Sequence, residues 1–143
     1  HDNGRVDASY PWPIMDQGWH RMHFRLAPHA GAWQDARVPR KAWALNEPPA
    51  VHIESAHPGT LPLHAAFMET DAENVILTVL KFSDEGGDLI VRGYETDGVG
   101  AEVCIRWPHL RTEVTTHFAP HEIKTLRITP GTWEAREVNF LEE

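Results

Sequence analysis

No apolar stretch of this chain runs far before a proline or a glycine interrupts it. Eleven prolines and ten glycines are spread over 143 residues. Proline lacks the N–H that helix and sheet interiors need, and glycine supplies turn conformations that other residues resist. Punctuation this frequent favours many short strands over long helices. The clearest strands are Asn74–Phe82, apolar on both phases, and Ala101–Trp107, where Ala101, Val103, Ile105 and Trp107 alternate with Glu102, Cys104 and Arg106. A strand apolar on both phases is expected to be covered on both faces.

Between and beyond these, Leu89–Thr96, Arg111–Phe118 and Glu122–Thr129 read as strands. The segment Ser83–Asp88 carries the glycines of a hairpin loop, and Asp97-Gly98 is a turn. In Glu122–Thr129 the apolar positions Ile123, Leu126 and Ile128 break alternation once, which predicts a β-bulge near Lys124–Thr125. Val51–Ile53 and Ala65–Thr70 are weaker strand candidates. Trp133 and the tail Val138–Leu141 form a last strand or dock. Seven or so short strands with turns every eight to twelve residues predict an all-β, antiparallel β-sandwich.

The leading third reads differently. Asp16–Gly18 is a turn, followed by a strand over about 19–27 with Met22, Phe24 and Leu26 on one face and Arg21, His23 and Arg25 on the other. Pro28 ends it. A short helix is expected over about 35–46, with Pro39 in its first turn and Asn46 as its stop. Glu47-Pro48-Pro49 is a stiff connector and the best domain boundary, separating 1–47 from 48–143. The irregular, apolar start through Trp12 and Ile14 has the character of a segment that packs against further neighbours. The chain opens at His1 rather than methionine, so processing or derivation from a longer polypeptide is expected.

The totals exclude several classes. A formal charge of −8 and the lack of a basic run argue against nucleic acid or an anionic membrane as partner. Cys104 is the sole cysteine, so no internal disulfide framework is possible. No signal peptide or long apolar span is visible, which makes a cytoplasmic location the expectation.

Ten histidines raise a metal hypothesis, but their spacing does not support one. His20 and His23 are an odd number apart and would point to opposite strand faces. His121-Glu122 lacks the second histidine of a helical zinc motif, because Thr125 stands there. His52, His57 and His64 could converge only through loops. His1 could in principle chelate copper through its amine and ring, as in lytic polysaccharide monooxygenases, although a cut site accounts for it equally. Trp12, Trp19, Trp33 and Trp133 are not placed by pattern, and exposed indoles on a sandwich would suit a carbohydrate-binding module. Trp43 and Trp107 read as core. No nucleophile elbow or dinucleotide loop occurs, and Asp84, Glu85 and Asp88 look like a solvated turn.

Five stretches, in order, resemble the C-terminal part of glycoside hydrolase family 38, the α-mannosidases. These are Asp16–Trp33 (a D-x-G-x-H-x-F strand leading into P-H-x-G-x-W), Ala42–Pro48, Glu73–Lys81, Gly87–Glu95 and Glu122–Leu126. The resemblance implies that residues 1–47 complete a larger central β domain and that 48–143 form the terminal β-sandwich. It implies a parent enzyme that hydrolyses α-mannosides with retention. Its zinc and its aspartate nucleophile would lie in an N-terminal catalytic barrel, so this chain would hold no catalytic residue and no metal. The partners implied are that barrel, the central β domain, and mannose-containing oligosaccharide through the intact enzyme. Loops often carry function on a rigid scaffold, which makes Asp16, Gln17 and His29 the candidate substrate-binding residues of the intact enzyme. Between Trp107 and His117 the chain is shorter than the family pattern.

Overall fold

The computed structural model describes residues 18–60 and 62–143. One helix, α1 (Val38–Asn46), precedes seven strands: β1 (Glu69–Thr70), β2 (Val75–Phe82), β3 (Leu89–Glu95), β4 (Ala101–Trp107), β5 (Thr112–Phe118), β6 (Ile123–Thr129) and β7 (Glu134–Val138). They form two antiparallel sheets, one in the order β1-β4-β5 and the other β2-β3-β6-β7. The all-β sandwich expected from the punctuation is therefore what the chain builds, with one short helix before it.

The core lies between the sheets. Val103, Ile105 and Trp107 of β4 meet Val91 of β3 and Leu126 and Ile128 of β6, with Val75, Val114 and Phe118 completing the cluster. Trp107 is fully buried, and the Trp133 ring lies 5.7 Å from it at a tilt of 35°. That tilted contact places Trp133 in the packing; β7 follows it, so the C-terminal region supplies both a strand and a docked indole. Gly93 sits on this inner face because nothing larger fits. A Cβ there would meet Leu77 Cδ2 at 2.9 Å and the Ile76 carbonyl at 3.0 Å.

The outer face of the four-stranded sheet is covered too. Ile76, Ile90, Thr125 and Val138 alternate with the core residues in register, yet all four are buried. Helix α1 lies at one end, where the Trp43 indole N–H donates to the Tyr94 hydroxyl at 2.5 Å. The C-terminal turn lies at the other, where Arg127 donates to the Glu142 carbonyl at 3.0 Å and Arg92 stacks 4.6 Å from the Phe140 ring. The three-stranded sheet instead turns a charged ladder to solvent. Glu102 bonds His117 at 2.9 Å, and Arg106 reaches Glu113 at 3.4 Å.

Several local expectations are corrected. Residues 19–27 form no strand: Met22, Phe24 and Leu26 are all exposed, and the described chain offers them no ladder partner. A lone strand leaves its backbone unpaired, so alternation by itself does not make one. Val51–Ile53 is likewise without strand pairing, and Ala65–Thr70 contracts to Glu69–Thr70. The helix begins at Val38 rather than Asp35 because Arg37 takes a left-handed conformation (φ 53°) and 33–37 are turns.

Burial on both faces belongs to only part of β2. Val75 and Ile76 are buried, but Leu80 and Phe82 are exposed on this edge strand, and it is the interior strand β3 that buries Ile90 and Val91 together. The bulge lies in β2, where register shifts between Leu77 and Val79, while β6 pairs without a break. The alternation of β6 is continuous once Lys124 is placed inside. Its ammonium reaches Glu137 at 2.9 Å and Glu122 at 3.3 Å, and lies 5.7 Å from the Phe118 ring centre. The aliphatic stem is buried and the charge is paired, and Ile123 points out.

Gly93→Ala is expected to destabilise the chain by about 1–3 kcal/mol, since its methyl must displace Leu77 or a backbone carbonyl. Urea unfolding followed by tryptophan fluorescence measures this; an unchanged midpoint would contradict the packing described.

Candidate functional site

The most distinctive polar site is the carboxylate of Glu95, at the end of β3. It is 2% exposed. One oxygen accepts from the Asp97 N–H at 2.9 Å and the Asn74 amide at 2.8 Å; the other accepts from the Gly98 and His121 N–H groups, both at 2.8 Å. The Asn74 amide also donates to the Gly100 carbonyl at 3.1 Å. One side chain thus ties the β3–β4 loop, the β5–β6 loop and the entry to β2. His121 accepts a left-handed backbone (φ 57°) in this arrangement, and Gly98 (φ 78°) has no room for a Cβ, which would fall 2.5 Å from the His121 ring.

Burial alone would push the Glu95 carboxyl pKa up. The N–H groups of His121, Asp97 and Gly98, with the Asn74 amide, more than offset that and hold it down at about 2. The group is ionised and fully engaged at neutral pH, so it is neither a general acid nor a free base. Its work is fastening.

A second fastening joins α1 to the sandwich. Arg40 donates to three carbonyls of the turn leading into β2: Glu73 at 2.7 Å, Ala72 at 3.0 Å and Val75 at 2.8 Å. Arg37 pairs with Glu73 beside it. The planar guanidinium fork suits such multiple donation. A third cluster gathers at the β2–β3 hairpin. Arg127 bonds Asp88 at 2.7 Å and Glu85 at 3.3 Å, while Lys81 bonds Asp84 and Glu142, each at 2.6 Å. The Asp88 carboxyl is held below its ordinary range chiefly by Arg127, and Glu142 chiefly by Lys81. The turn expected to be merely solvated is therefore partly paired: Asp84 and Glu85 are open to water, but Asp88 is mostly enclosed.

A shallow cleft of about 540 Å3 opens where a 3-10 turn (Pro108–Leu110) joins β4 to β5. It is lined by Arg106, Trp107, Pro108, Arg111, Thr112 and Glu113. Glu113 is its one carboxylate, and it already contacts Arg106 and the Cys104 thiol. Glycoside hydrolysis by a carboxylate pair needs a second across the cleft, and the lining has none. Burial raises the Cys104 pKa first and the Glu113 contact adds to it, so this thiol is not activated as a nucleophile.

Of the candidate residues, Asp16 and Gln17 lie outside the described residues, as do His1 and Trp12. His29 is exposed, and its ring bonds the neighbouring Ala30 carbonyl at 3.3 Å. Trp107 is core, as its strand phase predicts. Trp43 is half-buried and bonded to Tyr94, while Trp19 and Trp33 are exposed on the segment before the sandwich rather than on it. Among the described residues, no group of three or more histidine, cysteine, aspartate or glutamate side chains is disposed to hold a metal ion. No described helix is long and apolar enough to cross a membrane.

Glu95 and Arg40 escape a search for chemistry because neither belongs to a catalytic spacing. The signal for Glu95 was its place at a strand end just before Thr96-Asp97-Gly98, a turn with unpaired N–H groups to satisfy.

Comparison with known proteins converges on the resemblance already visible in the sequence. The family model described as the glycosyl hydrolases family 38 C-terminal beta sandwich domain matches residues 74–114, from the turn before β2 into β5. Alpha-mannosidase G of Dictyostelium discoideum is 28% identical over 94 residues, covering 62% of this chain and 8% of that protein. No solved structure matches significantly. The match to the glycosyl hydrolases family 38 C-terminal beta sandwich domain thus covers the stretch from β2 to the start of β5, and the chain spans less than a tenth of the curated relative it matches.

Glu95→Gln is expected to cost about 2–4 kcal/mol at pH 7, because the side-chain amide turns a donor toward groups that need an acceptor. The native pKa of about 2 lies below the ordinary 4.5. The stabilisation is therefore fully present above about pH 4.5 and is lost as pH falls toward 2, amounting to about 3 kcal/mol by linkage. Denaturation midpoints of the two proteins should converge over that window; a constant gap would show that folding does not lower the Glu95 carboxyl pKa.

Proposed function

We propose that this chain is the non-catalytic terminal β region of a zinc-dependent, retaining α-mannosidase, and that it serves as scaffold for the rest of that polypeptide. The observation that carries the reading is that the family match falls on the sandwich itself, whose most enclosed charged groups are spent on fastening loops. Zinc would be held by the barrel of the parent enzyme. The residues described here do not fit it, and no step is derived through it. Hydrolysis of α-mannosides belongs in this reading to the intact enzyme, with mannose-containing oligosaccharide as its substrate.

Helix α1 supports a scaffold role because it presents two working faces. Arg40 and Trp43 face the sandwich. Val38, Ala42 and Leu45, on the opposite side by helical spacing, line a small cleft with Arg25 and Ala27, and Val38 is 37% exposed. Met22, Phe24 and Leu26, in the segment before it, are exposed apolar side chains as well. On this reading, residues 1–47 complete a larger central β domain, α1 is wedged between that domain and the sandwich, and residues 19–27 gain their strand pairing only there.

A stand-alone carbohydrate-binding module is a weaker reading. Among the described residues the exposed indoles are Trp19 and Trp33, both on the apolar leading segment, and the sandwich itself exposes none.

The 143-residue chain is expected to show no turnover of nitrophenyl α-mannoside, with or without added zinc; measurable turnover would overturn the scaffold reading. Val38→Glu should lower the thermal midpoint of the intact polypeptide while leaving that of the isolated chain unchanged. Equal shifts in both would place that face inside the chain's own packing. Alanine at Asp16, Gln17 or His29 in the intact enzyme tests their role in substrate binding, where a raised KM with an unchanged melting temperature is the expected result.

A further inference from the structure

The loop between α1 and β1 contains a side-chain cluster that neither the sandwich nor the family reading uses. Both oxygens of the Glu54 carboxylate are occupied by imidazoles: His52 Nε2 lies 2.9 Å from Oε1, and His57 Nε2 lies 2.9 Å from Oε2. The other ring nitrogen of His57, Nδ1, faces the Pro58 carbonyl at 3.1 Å. Both partners of His57 are acceptors. A neutral imidazole has one N–H and satisfies only one of them, whereas the imidazolium has two and satisfies both. His52 needs a single N–H toward Glu54 and fits in either form.

We propose that residues 52–57 form a proton-operated clasp, in which His57 closes onto Glu54 and the Pro58 carbonyl when it is protonated and releases them when it is not. No other charged side chain among the described residues bonds these three, and all three are exposed, so the clasp is set by their mutual contacts alone. The Pro58 carbonyl and then Glu54 raise the His57 pKa above its ordinary 6.5. A raised value means that the closed form is favoured at lower pH and is lost as pH rises through it. Pro48-Pro49 before the cluster and Pro58 within it limit the open forms of the loop, which lowers the ordering cost of closure. The ends of the loop are held independently, α1 by Arg40 and β1 by pairing with β4, so the clasp alters the stiffness of the loop rather than the sandwich.

Nuclear magnetic resonance on the whole chain tests this. The His57 Cε1 shift should titrate above 6.5, and heteronuclear NOEs of residues 52–58 should be higher at pH 5.5 than at pH 8. Exposed ion pairs of this kind imply a change in closed population of about two- to five-fold. Glu54→Gln should return the His57 titration toward its ordinary value and remove the pH difference, with the melting temperature unchanged; His117, bonded to Glu102, serves as the unaffected control. His57→Gln should leave the loop open at both pH values. Equal NOEs at the two pH values in the wild type, or a His57 titration indifferent to Glu54→Gln, would overturn the proposal without touching the scaffold reading.

Discussion

The hydrogen bonds to one carboxylate set the end of this sandwich. Glu95 brings three backbone N–H groups and the Asn74 amide to a point, and those donors belong to loops of both sheets. Without a buried anion, the β3–β4 and β5–β6 connections would each leave N–H groups facing a dry interior. An unpaired buried donor costs on the order of 1–3 kcal/mol, so replacing the anion would disturb both loops together. The price is a single desolvated charge, which the surrounding dipoles offset. The left-handed backbone of His121 and the tight approach of Gly98 are the geometric consequences.

The same logic recurs away from that end. Arg40 satisfies three carbonyls that strand pairing cannot reach, Lys124 spends a buried stem and a paired head to complete an inner face, and Arg127 holds the β2–β3 hairpin and the C-terminal turn together. In each case a long charged residue closes a junction between elements whose apolar contacts are few. The sandwich core is small, and its periphery is organised by ions.

Much of the sandwich was legible. Five of the seven strands lie within about a residue of their expected bounds, because alternation and turn glycines act locally and each strand's neighbours are present. The failures share a cause. Residues 19–27 alternate as cleanly as β4 but form no strand ladder among the described residues, so the pattern shows a capacity that takes a paired neighbour to realise. The misplaced bulge came from counting Lys124 as an outward polar residue, when its stem is core and its charge is matched by Glu122 and Glu137. The place of Glu95 before the Thr96-Asp97-Gly98 turn is a local signal for the Asp97 and Gly98 N–H groups, but the convergence of Asn74 and His121 on the same carboxylate is not local.

By itself, the sequence determined the fold class and the strand order along the chain and supplied the resemblance to glycoside hydrolase family 38, because these follow from local periodicity, punctuation and motif order. Tertiary structure alone decided which faces are buried twice, where the bulge falls, and which charged residues are structural. Those outcomes depend on contacts between residues 13 or more positions apart, such as Val79 with Arg92, Lys124 with Glu137, Asn74 with Glu95 and Arg40 with Val75. Within Asp16–Trp33, the described residues show exposed apolar side chains and no strand; the sequence supplies the strand pattern, and only a neighbouring sheet supplies the hydrogen bonds that would make it one.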